Sequence, residues 1–115
     1  MTEIRGKIDG QHGPPLDDFF EAMADRHRRH VLYYFREHDE DVASTADLVS
    51  FLLEHDSDRP ERETVATRLH HVTLPKLADC GLLEYDPRSE TVRYRDDHRF
   101  EDCIDHSAWT EFQST

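Results

Sequence analysis

Amphipathic helical stripes, a long helix bounded by proline and glycine, and two alternating runs around an Asp-Pro turn follow one another in this 115-residue chain. That order predicts a mainly α fold with a β-hairpin wing, a winged helix-turn-helix. The length suits one domain with one modest core. Residues 1–15 hold three glycines and two prolines and little that is apolar, so they read as a flexible N-terminal arm. Residues 16–95 then make the winged domain, and 96–115 a C-terminal amphipathic helix suited to dimerisation.

Each element has a local cause. Leu16, Phe19, Phe20, Met23 and Ala24 fall at i, i+3, i+4, i+7 and i+8, one face of a first helix. Asp25 can cap a second helix, in which Val31, Leu32 and Phe35 recur with His27 and Tyr34 and the polar face carries Arg26, Arg28, Arg29 and Arg36. Residues 39–43 are acidic and turn-like. Ser44 or Thr45 caps a short helix through Glu54 with Leu48, Phe51 and Leu52 inward. Pro60 fits the first position of a long helix to Asp79, stopped by Gly81. Its core face is Val65, Leu69, Val72, Thr73 and Leu77, and Pro75 within it predicts a kink. Residues 82–85 and 90–95 alternate around Asp86-Pro87, which places Leu83, Tyr85, Val92 and Tyr94 on one face of a hairpin. Phe100, Ile104, Ala108, Trp109 and Phe112 mark the last helix.

The formal net charge is -12, with mean hydropathy -0.87, yet 10% aromatic residues and clear periodicity argue against disorder. Twelve of the fourteen basic residues are arginines and aspartate outnumbers glutamate. Abundant Asp with scarce Lys suits a surface kept soluble in concentrated salt, where self-repulsion is screened. The acidity therefore reads as a haloarchaeal, halophilic trait rather than the sign of a basic partner. Two segments alone are positive: 26–38 at +3 and 59–76 at +2. These are the second helix and the long helix, where a winged helix-turn-helix meets DNA.

The candidate contacts follow from that placement. On the long helix, Arg68 suits bidentate reading of guanine, Thr64 and Thr67 a phosphate or thymine methyl, His71 either, and Arg62 near the helix start a phosphate. Arg88 at the wing turn and Arg93 on its outer face complete the set, against the opposing charges of Glu84, Asp86 and Glu90. The partner expected is double-stranded DNA, and the activity non-catalytic regulation of transcription. The alternative is a winged-helix module whose same faces bind a protein partner.

Two stretches carry a family likeness. Phe20-Glu21-Ala22-Met23-Ala24-Asp25-Arg26-His27-Arg28-Arg29-His30-Val31-Leu32 resembles the F-x-A-L-A-D-P-x-R-x-x-I-L opening of ArsR-type winged-helix regulators. Leu74-Pro75-Lys76-Leu77-Ala78-Asp79-Cys80-Gly81-Leu82-Leu83 resembles their L-x-x-L-x-x-A-G-L-(V/I) junction between recognition helix and wing. LPKLADCGLLEYD together with RHRRHVLYYF is similar to a family of small haloarchaeal winged-helix domains of unknown function. The likeness spans roughly residues 16–95 and departs from ArsR-type proteins at Pro75. It implies a homodimer built from first and last helices, and the apolar Phe19, Phe100, Ile104, Trp109 and Phe112 are the residues for such an interface. The plainer arrangement packs the last helix on the first within one chain.

Other classes find little support. No Gly-rich phosphate loop, HExxH or nucleophile elbow is present, so no enzyme and no cofactor is expected. Some ArsR-type relatives sense metals through Cys, His and Asp. Cys103 with His106, His98 with Asp102, and His27 with His30 have helical ligand spacing, but no CxxC accompanies them, so no metal site is assigned. No apolar run approaches the ~20 residues of a membrane span. Cys80 and Cys103 read as reduced thiols of a cytoplasmic protein.

Overall fold

The computed structural model describes residues 14–113. Most of the expected arm, residues 1–13, lies outside them. Helix α1 (Leu16–Met23) leads through Ala24 and Asp25 into α2 (Arg26–His38), whose start is capped by the Asp25 carboxylate accepting from the Arg28 amide at 3.1 Å. The α2 arginines reach back to α1. Arg28 donates to the Ala22 and Glu21 carbonyls and Arg29 to that of Met23, at 2.8–3.0 Å. These carbonyls lie at the end of α1, where some have no partner within the helix. The α1 stripe is narrower than its periodicity suggested: Phe19 and Ala22 are buried, while Leu16 and Phe20 stay more than half exposed. Phe19 sets this rotation by stacking on Phe100 with ring centroids 4.0 Å apart.

Residues 42–44 hold the first departure from the expected elements. The stretch read as a turn contains strand β1 (Val42–Ser44), followed at once by α3 (Thr45–Glu54) with Ser44 as its side-chain cap. Strands β2 (Leu83–Asp86) and β3 (Thr91–Tyr94) form the hairpin, and β1 pairs antiparallel with β3, giving the order β1-β3-β2. Leu83 faces Tyr94 and Tyr85 faces Val92, the shared inner face expected of the wing. Only Ala43 of β1 turns inward. A single inward residue leaves no alternation to detect.

The long helix comes in three parts: α4 (Arg62–Arg68), a π-helical turn (Leu69–Thr73) and α5 (Leu74–Asp79). Pro60 precedes the helix instead of opening it. The Asp56 carbonyl and carboxylate accept from the amides of Arg59 and Asp58, which closes a turn ahead of the Glu61 cap. The kink expected at Pro75 takes the form of the π turn. In an α-helix the proline ring collides with the carbonyl four residues back, that of His71. Here the Leu74 amide instead donates to Leu69, five residues back, so the turn is widened just before the proline. The inserted residue shifts the core face. Leu69, Thr73, Leu74 and Leu77 are buried, and Val72, expected inside, is 46% exposed.

Gly81 ends the helix with φ +82°; its amide donates to Ala78 and the Leu82 amide to Leu77. These two bonds, with Leu77 and Leu82 both buried, make a Schellman stop.

Helix α6 (His98–Gln113) lies along α2. Phe100 and Ile104 are at most 4% exposed and Phe112 is half-buried against His30, Tyr33 and His55. With Phe19 also buried, three of the five residues assigned to a dimer interface belong to this chain's own core. Trp109, at 64%, is the one of the five fully on the surface. The last helix packs mainly on the second, with Phe19–Phe100 its bridge to the first.

Candidate nucleic-acid interface

The face of the long helix opposite its core presents Thr64, Thr67, Arg68 and His71, all exposed. Val65 and Leu69 fix that orientation from beneath. Arg68 is held loosely, its Nη2 3.8 Å from an Asp25 oxygen and its side chain about half exposed, so little opposes its release to a ligand. Arg62 is placed differently. It donates to Ser50 Oγ and the Ala46 carbonyl, each at 3.1 Å, and so ties the long helix to α3. A phosphate contact from Arg62 would have to replace these bonds.

In the wing, Arg88 and Arg93 are exposed. Arg93 stands on the outer sheet face between its register partners Val42 and Glu84. The wing turn is ordered by Asp86, which accepts from the Arg88 amide and the Ser89 hydroxyl. Among the described residues, Arg59, Arg88, Arg93 and Arg95 have no ion pair and no hydrogen bond through their side chains.

The positive second helix is a different matter. Arg29 donates two bonds to Glu111, at 2.9 and 3.1 Å, and Arg36 donates two to Asp105 at 2.9 Å and approaches Glu101 at 3.4 Å. Arg26 lies 3.5 Å from Asp56. Arg28 caps α1. Arg28, Arg29 and Arg36 of the second helix therefore hold the fold together, and Arg26, 43% exposed, is the one of its four arginines that still faces solvent. These partners lie up to 82 residues away in sequence, so segment charges could not reveal them.

Glu111 is the centre of the α2–α6 contact. Tyr33 Oη donates to it at 2.9 Å and His30 Nε2 at 3.2 Å, besides the two Arg29 bonds. Burial alone would raise its pKa, but the bonds from Arg29 and Tyr33 outweigh burial and hold it at about 2. An ionised carboxylate only accepts, so His30 carries a proton on Nε2. Burial keeps His30 below its ordinary pKa despite the neighbouring carboxylate.

Sequence reasoning missed two residues of the long helix. His70 Nδ1 hydrogen-bonds the Tyr85 hydroxyl and couples the helix to the wing. Val72 stands exposed beside His71. The signal for Val72 was Pro75, three residues on, read only as a kink.

The spacing-based ligand pairs do not converge. Cys103 is exposed, His27 points to Asp56 at 3.5 Å and His30 to Glu111. Among the described residues the His, Cys, Asp and Glu side chains that gather in threes are Asp96, His98 and Glu101, with ligand atoms within 4.8 Å. His98 is almost fully exposed and Arg36 already faces Glu101. An open groove of about 1340 Å³ between α2, the 55–60 loop and α6 is lined by His30, Tyr33, His55, Trp109 and Phe112 among others. Of its wall charges Arg26 pairs with Asp56 and Arg36 with Asp105, while Arg59, Glu37 and Glu54 also line it. No described helix is long and apolar enough to cross a membrane.

A family model described as a domain of unknown function, DUF7344, matches residues 20–93, and the chain belongs to that family. No curated protein and no solved structure matches it.

Proposed function

For this member of the DUF7344 family we propose duplex DNA as the ligand and non-catalytic regulation of transcription as the role. The observation that carries the reading is the exposed face of the long helix. Thr64, Thr67, Arg68 and His71 sit together there, with a three-stranded wing beside the helix bearing Arg88 and Arg93. Inserted in a major groove, that helix offers a guanidinium for the O6/N7 edge of guanine and hydroxyls for phosphates. Arg59, Arg88 and Arg93 reach phosphates on either side, since no internal partner holds them. The ArsR-like character, the cytoplasmic location and the salt-adapted surface belong to the same proposal. So does a two-fold dimer, centred on Trp109 and not on the buried Phe19, Phe100 and Ile104.

Mobility-shift titrations over a salt range test it. Arg68→Ala is expected to weaken binding by about 1–3 kcal/mol and to relax the preference at one base pair. With Arg59, Arg88 and Arg93 as the phosphate contacts, the log–log salt slope should be about -3 per protomer. No shift on any genomic fragment, even at low salt, would end the proposal. One observation favours the second reading, a protein-binding module: Trp109 is 64% exposed while Glu84, Asp86 and Glu90 crowd the wing. Capture of a defined partner lost in Trp109→Ala, with no DNA shift, would establish it.

A further inference from the structure

We infer that the π turn builds a base-reading position, with Val72 set to contact the 5-methyl group of a thymine next to the base met by Arg68. The inference rests on the duplex-DNA reading above. In an uninterrupted helix Val72 would share the inward face of Val65 and Leu69, at i+7 and i+3. The π turn carries one residue more than an α turn, so every position after its start is rotated. The core face continues through Thr73, Leu74 and Leu77, at 2%, 0% and 0% exposure, and Val72 moves to the solvent side at 46%. There it joins an existing set. Thr67 and His71 are four apart, as are Arg68 and Val72, and all four are exposed.

A lone exposed valine needs no explanation on an ordinary surface. This one lies among hydrogen-bonding side chains on the face that the fold offers to a groove. It is also exposed by a backbone irregularity of a kind that recurs at functional sites. The chemistry fits one base. Of the four bases only thymine presents a methyl group in the major groove, where cytosine has a bare C5–H. A stiff β-branched side chain loses little rotamer freedom in covering that methyl. Arg68 and Val72 together would therefore read a guanine and a thymine at neighbouring positions, one through hydrogen bonds and one through burial.

The test uses the full chain and chemically edited DNA. A duplex selected from a randomised pool is resynthesised with each thymine replaced in turn by deoxyuridine, which removes the methyl and nothing else. For the wild type, one such replacement per half-site should weaken binding about fourfold, the value of one buried methyl-sized group. Val72→Ala and Val72→Ser should be indifferent to that replacement, keep the Arg68-dependent guanine preference and keep the wild-type melting temperature. If the methyl effect persists in Val72→Ala, or no thymine is methyl-sensitive, the Val72 inference falls and the DNA reading stands. If no duplex binds at low salt, both fall together.

Discussion

Replacing Glu111 by alanine should cost this fold about 3 kcal/mol. Among the described residues the carboxylate accepts two hydrogen bonds from Arg29 and one each from Tyr33 and His30. Alanine strands all three donors, but not equally. Arg29 keeps its bond to the Met23 carbonyl and a quarter of its side-chain exposure, so water compensates much of its loss. Tyr33 and His30 are at most 2% exposed, and a buried donor without a partner costs about 1–3 kcal/mol. Two such donors, reduced by relaxation into the neighbouring groove, give a total near 3 kcal/mol, or a melting temperature lower by about 12 °C. Glu111→Gln keeps the shape and one acceptor oxygen and should lose about half as much.

Urea denaturation with a double-mutant cycle against Arg29→Ala reads the coupling directly, and at least about 1 kcal/mol is expected between the pair. Repeating the cycle in molar salt should leave most of the coupling, because a partly buried pair is screened far less than a surface one. If Glu111→Ala denatures within about 0.5 kcal/mol of the wild type, α6 is not anchored as described, and the account of α2 as an internally neutralised helix fails with it.

Acidification supplies an independent check. Glu111 has its pKa held at about 2 in the fold against an ordinary 4.5, so the unfolded chain binds the extra proton between those values. The stability that wild type holds over Glu111→Gln is therefore fully present above pH 4.5 and shrinks as pH falls towards 2, by about 1–2 kcal/mol after solvent screening. His30, held below its ordinary 6.5 by burial, acts in the same direction, its loss beginning as pH drops through 6.5. The π turn makes a paired prediction: Leu74→Ala, at a fully buried site, should cost about 2–4 kcal/mol, and Val72→Ala less than about 0.5. An uninterrupted α-helix would reverse that order, so equilibrium unfolding of the two variants decides between them. For the dimer, light scattering should show concentration-dependent mass for the wild type and a monomer for Trp109→Ala. A wild type monomeric at every concentration refutes it.

What was legible in the chain was local. The Asp25 cap, the Gly81 stop and the shared inner face of the hairpin each depend on residues within a few positions of one another and are found as the pattern implied, and of Ser44 and Thr45 it is Ser44 that caps its helix. What was illegible was long-range or too short. β1 has three residues with one inward, and its strand identity comes from hydrogen bonds to β3 nearly fifty residues on. The π turn escaped because the apolar residues Val65, Leu69, Val72 and Leu77 form a plausible α stripe by themselves. Only the proline's steric demand breaks the tie in favour of Leu74 over Val72. Of the candidate DNA face, Thr64, Thr67, Arg68 and His71 lie side by side as periodicity places them, whereas Arg62 turned towards α3 through contacts no spacing rule contains.

Net charge is a poor guide to a partner when the charges are spent internally. Each α2–α6 pair sets one cation against one anion, so neither helix projects the charge its sequence suggests. The cations left over are few, and phosphate attraction, which weakens steeply with salt, cannot carry a tight complex on an anionic protein. A DNA complex of this chain must then draw its strength from contacts that salt leaves alone. Burial of a methyl under Val72 would be of that kind, and hydrogen bonds from Arg68 to a base edge would add selectivity to its charge. On the proposed DNA reading, the C-terminal helix that pairs with Arg29 and Arg36 would shift recognition from the phosphate backbone towards the bases.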